Sequence, residues 1–259
     1  MFEKETPEWR IAAAKRTMKR VIDHAVDLIW INESNAVTLY SDTLVKQIPR
    51  SYAAHAFNVF RKAMHQMEIV RLCALWDIAR NSLQRESIPT VVELIDQSDV
   101  LERLCETARA QYAPVAGDSD GKTENGSDVE VVNFYHAKAG KKYAERARAE
   151  LRTAIDQARN LEKSERLKAM RVQRNVHVAH NLTEEAKYDR GVVESIKYGD
   201  ERIILDETIS IITPLYSWIN RVGISFQASR NIDKKCVEAL WHNCKFSIEP
   251  ERSRQGLPP

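Results

Sequence analysis

The chain has 259 residues, 43% of them hydrophobic and 29% charged, and its 39 basic and 37 acidic side chains leave a formal net charge of +2. This length buries a sizeable core as one large or two small domains, and the composition excludes wholesale disorder. The near balance of charge means that any electrostatic case for a partner must rest on local distribution.

Eight glycines and eight prolines are few for the many tight turns of an all-β fold, so long helices are expected. The four cysteines (Cys73, Cys105, Cys236, Cys244) form no CxxC pair, and the opening MFEKETPEWR has no apolar leader. Reduced thiols and a cytoplasmic location are the expectation.

In chain order, Ile11, Val21, Ile22, Ala25, Val26, Leu28 and Ile29 recur at spacings of three and four, predicting an amphipathic helix over 8–32. From Ser51 to Asn81 there is no Gly or Pro, and Phe57, Phe60, Met64, Met67, Val70 and Leu75 sustain a helical period. A central helix longer than the globular mean is expected there. In ESIPTVVELI, Ser87 is placed to cap a helix that has Pro89 in its first turn and Val91, Val92, Leu94 and Ile95 inward. A further helix is expected over 98–112.

Residues 114–130 hold Gly117, Gly121 and Gly126, and five carboxylates against Lys122, for a net charge of −4. This reads as a mobile acidic insertion between helices of a single domain, 1–245, rather than as a linker. Residues 136–180 invert the sign, with twelve basic against five acidic side chains, and are expected to form two helices that break near Ser164. Over 190–206 the pattern admits a small β-hairpin turning at Gly199-Asp200, or a loop. The apolar run 202–226 contains Asp206, Glu207, Pro214 and Arg221, which are costly at a bilayer centre, so a buried helix over 205–226 is expected and no membrane span. A short helix over 233–245 and a flexible tail over 246–259 complete the chain.

The segment RVQRNVHVAH (171–180) laces Arg174, Asn175, His177 and His180 through three valines and an alanine. On an ideal helix Arg174 and His180 lie about 120° apart and about 9 Å along the axis, with His177 between them. One copy therefore splays them. The residues alone admit two readings: a structural arginine with a histidine capping the helix end before NLTEE, or half of a cleft that a second helix completes. His177 and His180 at i, i+3 are also half of a metal-binding spacing, but only Glu184 and Glu185 are near in sequence, and metal sites need three or four ligands. No GxSxG, P-loop, GxGxxG or HExxH occurs, and neither metal nor cofactor is expected.

An arginine, a polar residue and then a histidine, here Arg174, Asn175 and His180 with five residues between arginine and histidine, resembles the signature of the HEPN superfamily. The stretch HQMEIVRLCALWDIARNSLQRESIPTVVELI (65–95) resembles the AbiU-type abortive-infection branch of that superfamily. The resemblance spans roughly residues 10–245.

It implies an all-α helical bundle with long antiparallel helices, which dimerises through the motif helices and builds a composite cleft on the two-fold axis. Active members are metal-independent endoribonucleases of phage defence and toxin–antitoxin systems. By that resemblance Arg174 holds the scissile phosphate, His180 is general base or acid, and Asn175 orients His180 or a phosphate oxygen, while His177, Arg171 and Lys168 contact RNA or support the cleft. The residue types suit the chemistry, because a histidine with a pKa near ~6.5 takes either proton role and an arginine stabilises developing phosphoryl charge. The alternative is a non-catalytic homodimer that binds RNA or a protein, such as a nucleotidyltransferase antitoxin.

Overall fold

The computed structural model describes residues 2–79, 83, 85–114, 123, 128–175, 197 and 199–248. Among the described residues there are nine α-helices, one 3-10 turn and no strand. The helices are α1 (Pro7–Tyr40), α2 (Asp42–Gln47), α3 (Tyr52–Leu75), α4 (Ile88–Ile95) and α5 (Ser98–Arg109), the last running into the 3-10 turn Ala110–Tyr112. They continue with α6 (Val129–Glu162), α7 (Glu165–Gln173), α8 (Asp200–Asn220) and α9 (Phe226–Asn243). The protein is an all-α helical bundle. Most of the acidic stretch 114–130 and of the tail 246–259 lies outside the described residues, but Asp128 caps α6, its carboxylate accepting from the Glu130 and Val131 N–H groups.

Two compact units divide the chain. The first comprises Met1–Ile22, Trp76–Ser164 and Glu207–Ile224. Its core joins Met18 and Val21 of α1 with Val91, Leu94 and Ile95 of α4, Leu151, Ala154 and Ile155 of α6 and Ile212, Leu215 and Ile219 of α8, all buried. Ser87 begins α4 as expected: its hydroxyl accepts from the Thr90 N–H at 3.4 Å, with Pro89 in the first turn. The predicted helix over 51–81 ends early, at Leu75. Trp76 turns inward there, fully buried, and its indole N–H donates to Thr208 at 2.9 Å. Burying an aromatic of this size contributes at least ~2–3 kcal/mol, more than another turn of solvated helix.

The second unit comprises Asp23–Leu75, Glu165–Asp206 and Ser225–Pro259. Leu28 and Ile29 of α1, Ile69, Leu72 and Leu75 of α3, Leu167 and Met170 of α7 and Ile204 and Leu205 of α8 form its core. Of the apolar period read along α3 only Leu75 is buried: Phe60 and Met67 are exposed, and the buried face is instead Glu68, Ile69, Leu72, Cys73 and Leu75. Apolar residues lie all around this helix, and the facing elements select the stripe.

The second arm of the possible hairpin over 190–206 is helical, forming the opening of α8. Gly199 adopts φ +99°, a conformation glycine reaches without a Cβ penalty. Its carbonyl accepts from Ile203 N–H, and its own N–H donates to the Glu201 carboxylate. With Asp200 and Glu201 favouring the positive end of the helix dipole, a helix start outcompetes a hairpin turn. The first arm falls outside the described residues apart from Lys197 and Gly199.

Candidate functional site

α6 ends at Glu162, where the Lys163 and Ser164 N–H groups turn back to the carbonyls of Asn160 and Leu161. The chain restarts at once as α7. Leu167, Ala169 and Met170 bury one face of this nine-residue helix, which packs against α3. Arg166 ties its first turn to the start of α8 through the Asp200 carboxylate, 3.0 Å from its Nε. Lys168 is exposed and lies 3.6 Å from Glu165, one turn back. Arg171 is half-buried in the last turn.

At residues 174 and 175 the chain leaves α-helical geometry for a wider, π-type winding. An ideal-helix projection across 171–180 therefore does not carry past Gln173. π-type turns inside or at the end of helices recur at functional sites. Both side chains are half-buried, and Arg174 Nε donates to Asn175 Oδ1 at 3.0 Å. The Asn175 amide oxygen thus fixes one edge of the guanidinium. His177 and His180, the other two polar residues of the segment, lie outside the described residues.

A second polar constellation in the same unit was not anticipated from the sequence. Glu68 on α3 is fully buried, and its two carboxylate oxygens accept from Asn32 Nδ2 at 2.6 Å and Asn35 Nδ2 at 2.5 Å, both on α1. Burial pushes its carboxyl above the ordinary value, against the pull of the two amides. One turn before it, His65 places Nε2 3.8 Å from Glu201 Oε1. The Tyr40 hydroxyl donates to the same oxygen at 3.3 Å. Burial alone would raise the Glu201 carboxyl, but His65 and the N–H groups of Glu201 itself and Gly199 outweigh it and hold it below the ordinary value. The missed signal was a polar residue at inward helical positions: Asn32 and Asn35 continue the stripe begun by Leu28, and His65 and Glu68 continue that of Leu72 and Leu75.

Among the described residues no group of three or more His, Cys, Asp or Glu is arranged to hold a metal ion, and no helix is long and apolar enough to cross a membrane. Residues 15–235 match the model of the AbiU2 family of HEPN proteins. The chain belongs to that family. The match takes in parts of both units of this HEPN protein and includes α3, α7 and the whole 171–180 segment. No curated protein and no solved structure matches the chain.

Proposed function

We propose that this AbiU2-type HEPN protein is a metal-independent endoribonuclease that cleaves single-stranded RNA at a composite site in a homodimer, in abortive infection or a related toxin role. The observation carrying the reading is Arg174 with its guanidinium edge fixed by Asn175, at the spacing from His180 that the family signature has. RNA supplies its own nucleophile, the 2′-OH. His180 takes the proton from that hydroxyl as the oxygen attacks phosphorus, and His180 of the partner subunit delivers a proton to the departing 5′-oxygen. Arg174 binds the non-bridging oxygens and stabilises the charge that builds in the five-coordinate transition state. The products are a 2′,3′-cyclic phosphate and a 5′-OH end. A second copy of the chain brings a second Arg174 and His180 to the site, and Arg171, Lys168 and His177 flank the phosphate track.

The test is incubation of wild type, Arg174→Ala and His180→Ala with labelled single-stranded RNA in EDTA. Wild type cuts and leaves cyclic phosphate ends, and both variants fail. Cleavage retained in both variants refutes the site. RNA binding without cleavage by wild type, across varied sequences, establishes instead a non-catalytic module, whose partner is then RNA alone or an antitoxin of the nucleotidyltransferase kind. A monomer by light scattering counts against the composite site.

A further inference from the structure

Resting on the RNA reading above, we infer that the N-terminal third of α6, in the first unit, is a single-stranded RNA-binding strip: Phe134 and Tyr135 stack bases while Lys138, Lys141 and Lys142 hold phosphates. The orientation of this stretch is fixed from behind. Gly140 is buried where a Cβ would come 3.1 Å from the Arg109 carbonyl oxygen. His136 reaches the Ala113 carbonyl at 3.0 Å, and its ring meets Tyr112 edge-on. With that side locked against α5 and the 3-10 turn, Val131, Phe134, Tyr135, Lys138, Lys141 and Lys142 share an outward sector about 120° wide and about 16 Å long.

All six are exposed, Phe134 at 65% and Tyr135 at 62%. The two rings lie edge to face, with centroids 5.7 Å apart. Such exposure of adjacent aromatics is unusual on a soluble surface and offers π-faces to a partner.

The charge pattern along the same helix says which partner. Farther on, α6 carries arginines that are already neutralised: Arg146 meets Glu150 at 2.7 Å, Arg148 meets Glu102 at 3.5 Å, and Arg159 pairs with Asp96. Lys138, Lys141 and Lys142 have no ion-pair partner among the described residues. Glu145 is the one acidic side chain on their face between Val131 and the exposed Arg152.

On α6 and its C-cap the basic side chains with no ion-pair partner among the described residues are Lys138, Lys141, Lys142, Arg152 and Lys163, and three of these five lie beside the exposed rings. Lysines alone would suit any polyanion, and duplex RNA hides its base faces. Rings interleaved with unpaired lysines suit unstacked bases on a phosphate track. The apolar part is only Val131, Phe134 and Tyr135, less than the continuous apolar face that an interfacial membrane helix buries.

The experiment measures binding of full-length protein to a fluorescent, unstructured 2′-O-methyl RNA, which lacks the nucleophile and stays intact. Phe134→Ala/Tyr135→Ala should weaken binding about tenfold or more. Lys138→Gln/Lys141→Gln/Lys142→Gln should lower the slope of log affinity against log salt by about 2. Lys19→Gln, an exposed lysine on α1, serves as control and should shift affinity less than about twofold, as expected for a single lysine on another helix. The altered side chains are exposed, so melting midpoints should match wild type. RNA binding by wild type that neither strip variant weakens overturns the strip and leaves the RNA reading standing. No RNA binding by wild type overturns both. Capture on phosphatidylserine vesicles that the strip variants lose, with RNA binding unchanged, assigns the face to a membrane and also overturns the inference.

Discussion

Two polar regions of the second unit make opposite use of hydrogen bonds. Glu68 is sealed in the core, each carboxylate oxygen held by an asparagine amide. Arg174 sits half-exposed just past the last α-helical turn of α7, with one edge of its guanidinium held by its neighbour Asn175. A buried carboxylate is positioned by desolvation: any partner it loses leaves a polar group stranded, so the network specifies how α1 meets α3. A half-exposed guanidinium keeps access to an anion from outside. The first is a device of the fold and, on the proposed function, the second a device of the site, and substitutions should separate them.

The sharpest break is Glu68→Ala, which strands two buried amide donors and opens a cavity. A loss of roughly 2–5 kcal/mol in denaturant unfolding is expected, and a loss under ~1 kcal/mol would mean that the network contributes little to the packing of α1 on α3. Arg174→Ala should show the reverse, with RNA cleavage down roughly 10²–10³-fold and stability within about 1 kcal/mol of wild type. If both substitutions mainly cost stability, the distinction between the two regions collapses.

A finer test uses pH. The folded state binds the Glu68 proton more tightly than the unfolded chain does, because burial raises its pKa above the ordinary 4.5. Stability from this group therefore drains away as pH rises from 4.5 through the folded value, and Glu68→Gln should remove that slope. Glu201, whose carboxyl is held below 4.5, acts below that window, where stability is lost as pH falls through its folded value. A wild-type stability curve no steeper than that of Glu68→Gln above pH ~4.5 would contradict the assignment.

Ser87→Ala removes a cap that was legible in the sequence and should cost about 1 kcal/mol by thermal unfolding. Smallest of all is Lys168→Ala. Its contact with Glu165 is an exposed i, i+3 pair, so stability should move by no more than ~0.5 kcal/mol, and a larger drop would show that the α7 surface is structural rather than open to RNA.

Legibility follows the range of the interactions involved. The cap at Ser87, the break at Lys163–Ser164 and the helical run of α1 depend on residues within a few positions of each other, and local chemistry announces them. The face of α3 does not. Phe60 and Met67 look as fit for a core as Ile69 and Leu72, and only the neighbouring helices decide among them. The hairpin reading of 190–206 failed for a related reason, since Gly199-Asp200 suits both a turn and a helix start, and the carboxylate of Glu201 closing on Gly199 N–H favours the second. Arg174 and Asn175 were legible as types and spacing, whereas the pairing of Arg174 with Asn175 through the wider turn was not.

By itself the sequence determined an all-α chain, its helix-forming stretches and the Arg174, Asn175 and His180 spacing, because periodicity, caps and motif spacing are written in neighbouring residues. The tertiary structure alone decided which charges remain to act. Arg148 and Arg159 are neutralised by carboxylates from α5 and from the residue ending α4, far away in sequence, while Lys138, Lys141 and Lys142 meet none among the described residues. The buried meeting of Asn32, Asn35 and Glu68 was decided the same way, since a charge's environment is set by whatever the fold brings beside it, at any distance along the chain.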